Sequence, residues 1–215
     1  MGLRTGIVVA LAAWAGWLLV RGVVRRRIPW IGLAVIALPV VLLGWSERQW
    51  VAAEHAFSAA SRVVAPASPG VHCQRLGETF TYAGAELGHV EWDDDGVVTG
   101  PAMVSYETCG RLTAYWRGSA AEKAAAPLDQ VIAVHVLSHE SVHLAGEQVE
   151  SVTECTAMQR DAEVAIRLGA TEADARRLAE RYATQVYPRM PSDYTSIQCR
   201  QDAAMDLTPG DGVWP

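Results

Sequence analysis

The 215-residue chain contains no glycine-rich phosphate-binding loop, no serine-nucleophile elbow and no internal repeat. Those absences remove P-loop nucleotide chemistry, α/β-hydrolase chemistry and solenoid architecture from consideration. Acidic residues are missing from the first 45 positions, which hold five arginines; beyond them, the remaining 13 basic residues are outnumbered by all 24 acidic ones. A balance this acidic does not supply the basic face that nucleic acid requires, so no nucleic-acid partner is expected. Cysteine is sparse, and none of the four precedes Cys73.

What the chain does have is His139-Glu140-Ser141-Val142-His143. On an α-helix two histidines four apart lie on one face, one turn from each other, so both imidazoles can reach a single Zn²⁺. Glu140 then stands beside the ion, where a carboxylate can take a proton from a zinc-bound water whose pKa is lowered to about 7. The surroundings read as a helix: Pro127 suits a first turn, Asp129 lies where the macrodipole favours a carboxylate, and no breaker follows until Gly146. Residues 131–145 are uncharged apart from Glu140 and the histidines. Such a helix packs inside a domain, where its polar residues need partners or a metal. His135, one turn before His139, is expected to pack or to support a ligand, because three successive turns of one helix do not converge on one ion.

A hydrolytic zinc site takes three protein ligands and keeps a fourth position for water. Glu147, Glu150 and Glu154 follow the turn at Gly146, and residues 147–168 read as a second helix with Glu150 and Glu154 on one face. Over residues 139–157 the chain resembles the zincin superfamily of metallopeptidases, specifically its glutamate-ligand branch, the gluzincins. In that branch a Glu on a second helix completes the zinc site, and an acidic residue four positions later orients a zinc-binding His. The resemblance implies Glu150 as the third ligand and Glu154 as the orienting residue, with the reverse assignment open. Gly146 also matches the glycine of the metzincin branch, but Val149 stands where that branch has its third histidine. The resemblance further implies that Tyr194 stabilises an oxyanion, as tyrosines do in several zincins, and that a sheet edge beside the metal helix holds a peptide substrate extended.

Residues 6–20 and 28–45 are uncharged apolar runs separated by Arg21, Arg25, Arg26 and Arg27. Each approaches the roughly 20 residues needed to cross about 30 Å of hydrocarbon, the first if it continues to Val24 with Arg21 snorkelling. Two transmembrane spans, 6–24 and 28–45, are therefore expected in a lipid bilayer, joined by a cytoplasmic arginine loop, with both termini and the C-terminal domain on the outer side. No small-residue cleavage site precedes the arginines, so the first run is not read as a signal peptide. Cys73, Cys109, Cys155 and Cys199 all fall in the part assigned to an oxidising compartment. Of the three connectivities, Cys73 with Cys109 and Cys155 with Cys199 is preferred because each pair ties neighbouring segments; Cys155 as a metal ligand is the alternative.

Residues 46–69 read as an alanine-rich stalk ending in Ala65-Pro66-Ala67-Ser68-Pro69-Gly70, which leaves 70–215 as one domain with its own core. Inside it, residues 88–92 and 97–105 flank Asp93-Asp94-Asp95-Gly96, a hairpin pattern. The aspartates lack EF-hand spacing and read as a solvated turn. Thr171-Glu172-Ala173-Asp174 has the form of a capping box opening a helix to about Val186, and Cys199 would pin an irregular tail.

The expected fold is α+β: a transmembrane hairpin, then a mostly helical zincin-like domain with a small antiparallel sheet or hairpin and two disulfides. The expected function is a membrane-anchored zinc metallopeptidase acting on a peptide or protein, with Glu140 as general base. The alternative is a non-catalytic domain with a structural or sensory zinc site, closed by Glu154 or Cys155.

Overall fold

The computed structural model describes residues 3–25, 30–75 and 87–215 and divides into two compact units, Met1–Ala53 and Glu54–Pro215. The first unit holds α1 (Leu3–Val24) and most of α2 (Trp30–Ser61). Among the described residues no helix is long and apolar enough to cross a membrane. The expected pair of spans over 6–24 and 28–45 does not stand, and neither does the multi-pass placement with both termini and the C-terminal domain outside. The apolar runs share their helices with charge: Arg4 and Arg21 lie within α1, and Glu47, Arg48 and Glu54 within α2. Arg26 and Arg27 of the expected loop lie outside the described residues.

The segment read as a stalk, 46–69, begins as helix. No breaker separates Trp45 from Ser61, so α2 continues into the second unit, and its last two turns are bonded there. Ser58 Oγ accepts the Val71 N–H at 2.9 Å, Glu54 Oε1 accepts the Cys73 N–H at 3.0 Å, and the Ser61 and Ser141 hydroxyl oxygens lie 2.8 Å apart. Gly70 makes this return possible, with φ +106° and a would-be Cβ only 2.8 Å from Ser58 Oγ.

The sheet has three short strands in the order β1-β3-β2: β1 (Val71–Cys73), β2 (Gly88–His89) and β3 (Ala102–Val104). It is mixed rather than antiparallel, since β1 runs parallel to β3 and only β2 runs against it. The Asp-Gly turn forms as expected. Asp93 Oδ1 accepts the N–H groups of Asp95 and Val97, and Gly96 takes φ +75°. Its arms, however, are joined only at the Trp92↔Val98 bridge before β2 meets β3. Pro101 has no N–H to donate and sits where the returning arm would have to continue the ladder.

Helix α5 (Leu128–Leu144), preceded by the short α4 (Ala120–Ala124), is the centre of the second unit, touching α3 (Tyr106–Arg117), α6 (Glu150–Arg167), α7 (Glu172–Gln185), β2 and β3. From Val131 onward nearly every side chain is buried, as its uncharged sequence requires. Ser138 and Ser141 satisfy their hydroxyls on the carbonyls one turn back, so neither is left unpaired in the core. Gly146, at φ +100°, stops the helix, and the Glu147 N–H returns to the Val142 carbonyl. That reversal brings α6 back along α5. The disulfides pair as expected: Cys73–Cys109 ties β1 to α3, and Cys155–Cys199 ties α6 to the tail. Thr171 caps α7 through the Asp174 N–H, with Asp174 bonded back to its hydroxyl.

Candidate metal centre

The antiparallel α5–α6 pair places the two histidines of the motif opposite Glu150. His143 Nε2 lies 3.0 Å from His139 Nε2, Glu150 Oε2 lies 3.1 Å from His139 Nε2, and the third side of the triangle, His143 Nε2 to Glu150 Oε2, is 3.6 Å. The opposite nitrogens are occupied by acceptors. His139 Nδ1 is 3.0 Å from Glu154 Oε2, and His143 Nδ1 is 2.7 Å from the Glu147 carbonyl. A ring whose Nδ1–H is donated to its acceptor turns Nε2 toward Glu150 and toward the other ring, and in its neutral form offers a lone pair there. Burial, aided by the neighbouring His139, lowers the pKa of His143 and favours its neutral form.

Among the described residues two overlapping groups could hold a metal ion: His139, His143 and Glu150, and His135, His139 and Glu154. They differ in surroundings. The Glu150 side chain is 38 % exposed, whereas Glu154 is 1 % exposed. Burial alone would lower the His135 pKa, but the Asp161 and Glu154 carboxylates outweigh it and push it up to about 10. Burial would likewise raise Glu154, yet His135, His139 and Tyr182 hold it well below the usual carboxylate range. The Tyr182 hydroxyl donates to Glu154 Oε1 at 2.6 Å, and its pKa is driven far up by burial and by that carboxylate.

The remaining residues singled out by sequence also have places. Glu140 is buried, and its carboxyl group lies against β2: a Cβ on Gly88 would fall 2.7 Å from Glu140 Oε1 and 2.9 Å from Cδ and Cγ. The Tyr194 ring, in the 3₁₀ turn Ser192–Tyr194, has its centroid 5.9 Å from that of His139. Glu147 serves the turn instead, its Oε1 accepting the Gln148 and Val149 N–H groups. Cys155 is bonded to Cys199.

Three neighbours were not read from sequence. Trp92 packs edge-on against His143 with centroids 5.3 Å apart, while Asp161 and Tyr182 close the cluster behind His139. Asp161 had a signal, since it stands seven residues after Glu154, on the same helical face, among Ala157, Met158, Val164 and Ala165. Trp92 and Tyr182 had none. No protein-family model, curated protein or solved structure matches the chain.

Proposed function

We propose that the chain is a zinc-dependent metallopeptidase in which His139, His143 and Glu150 hold the ion and Glu140 is the general base. The observation that carries this reading is the convergence of His139 Nε2, His143 Nε2 and Glu150 Oε2 within 3.6 Å of one another while both Nδ1 atoms meet acceptors. Two imidazole lone pairs and a carboxylate oxygen at 3.0–3.6 Å repel one another unless a cation sits among them. Bonds of about 2.0–2.1 Å to a tetrahedral Zn²⁺ would separate its ligand atoms by roughly 3.3 Å, which the triangle matches. In the alternative group, His135 carries the proton that balances Glu154.

An ion held by these three residues would acidify a bound water and polarise the scissile carbonyl. Glu140, next to His139 on the same helix, accepts that water's proton and returns it to the departing amine. Tyr194 donates its hydroxyl to the carbonyl oxygen as negative charge develops there. Among the described residues β2 is an edge strand in the order β1-β3-β2, and it lies against Glu140, so a substrate laid along it as an added strand reaches the base. A closed, non-catalytic site would need a fourth protein ligand. The two candidates for that role are engaged elsewhere, Glu154 by His139 Nδ1, His135 and Tyr182, and Cys155 by its disulfide.

Glu140→Gln tests the assignment. With zinc content equal to wild type, the variant is expected to cleave members of a broad peptide library about 10²–10⁴-fold more slowly. Zinc-loaded wild type that cleaves none of them, with Glu140→Gln indistinguishable from it, contradicts catalysis.

A further inference from the structure

Behind His139 the Glu154 carboxylate is fixed at both oxygens. Oε2 meets His139 Nδ1 and His135 Nε2, each at 3.0 Å, and Oε1 accepts the Tyr182 hydroxyl at 2.6 Å. His135 is held in turn. Its Nδ1 lies 2.9 Å from Asp161 Oδ2, and its ring stacks on Tyr182 with centroids 3.5 Å apart and planes 12° apart. The cluster draws on α5, α6 and α7, and none of His135, Glu154, Asp161 and Tyr182 is more than 2 % exposed. Apolar residues of similar volume would fill this space without the loss of hydration that buried charges suffer, so packing alone does not explain it. The one member that reaches the metal face is His139.

We infer that His135 and Tyr182 are positioning residues for the metal ligand His139, acting through Glu154, with Asp161 fixing His135. A ligating imidazole must be aimed at the ion and must carry its proton on the other nitrogen, and for His139 both conditions depend on the Nδ1–H bond to Glu154. Glu154 keeps one orientation because His135 and Tyr182 hold its two oxygens from different helices. Loss of either donor frees the carboxylate to turn away from His139. Outer partners of this kind change metal affinity by about 10–100-fold. The inference rests on His139, His143 and Glu150 being the metal site.

The test is a Zn²⁺ titration of the full chain against a chromophoric chelator, together with the visible absorption of the Co²⁺-loaded protein. Tyr182→Phe, which removes one hydroxyl and keeps the stacked ring, should weaken Zn²⁺ binding about 10-fold and shift the Co²⁺ bands, with an unchanged circular dichroism spectrum. His135→Phe should weaken binding further, and His135→Gln, which retains one amide donor, should recover part of the loss. If His135→Phe does not fold, Tyr182→Phe decides alone. Folded variants with the wild-type zinc Kd and Co²⁺ spectrum overturn the inference by itself. Wild type that binds neither ion overturns the metal-site reading and this inference with it.

Discussion

His139 stands between two groups of histidines and carboxylates that differ chiefly in what surrounds them. In front, Nε2 faces His143 and the partly exposed Glu150. Behind, Nδ1 faces Glu154, which is enclosed with His135, Asp161 and Tyr182 and neutralised by the proton on His135. The same residue types thus make a candidate cation site beside a solvent-facing edge, and an enclosed scaffold where burial requires every charge to find a partner. Residue type and spacing suggest ligands; proton placement separates the ligand from its support.

The contrast is open to attack by substitution. The largest effect is expected in front: His143→Ala and Glu150→Ala should each abolish stoichiometric zinc binding, measured by elemental analysis, and Glu150→Ala, at the partly exposed position, should leave the metal-free chain about as stable as wild type. The back should respond the opposite way. His135→Phe strands Glu154 and Asp161 in the core and should destabilise the metal-free protein by about 3–5 kcal/mol in urea unfolding. Equal stability losses from Glu150→Ala and His135→Phe would erase the distinction.

Gly88→Ala acts on Glu140 alone. A Cβ 2.7 Å from Oε1 must displace the carboxylate, and a shift near 1 Å can lower turnover on the order of 10²-fold, with zinc content unchanged. A variant with wild-type kcat would show that the contact between β2 and Glu140 does not set the base.

The pH dependence tests the same contrast, and its sign follows from the back cluster. The His135 pKa is raised, so its contribution to stability is complete below its ordinary value of 6.5 and is lost as pH rises through about 10. The Glu154 pKa is lowered, so its contribution is present above its ordinary value of 4.5 and is lost as pH falls below it. Unfolding of the metal-free chain should show an alkaline decline between those His135 limits that is missing in His135→Phe. An identical decline in both proteins would remove His135 as its source.

What could be read from sequence was local. His139, Glu140 and His143 sit within two turns of one helix, Gly146 marks where it must stop, and the uncharged run before the motif predicts burial. The preference for short disulfide loops also gave the observed pairing. Contacts between distant segments were not legible: His135 meets Asp161 across 26 residues, and Glu154 meets Tyr182 across 28. The N-terminal expectation failed for a related reason. Apolar run length shows where a helix can form but not where it ends, and α2 runs on through Glu47, Arg48 and Glu54 to Ser61. The sheet was misjudged because β1 reaches β3 through the return of α2 rather than through the hairpin.

X-ray absorption at the zinc edge of the full chain, recorded with and without a hydroxamate, tests the central claim most directly. The account predicts one zinc per chain in a shell of nitrogen and oxygen only, at about 2.0–2.1 Å with two imidazoles, that changes when the hydroxamate takes the open position. A chain without zinc, or a shell that the hydroxamate leaves unaltered, would contradict it.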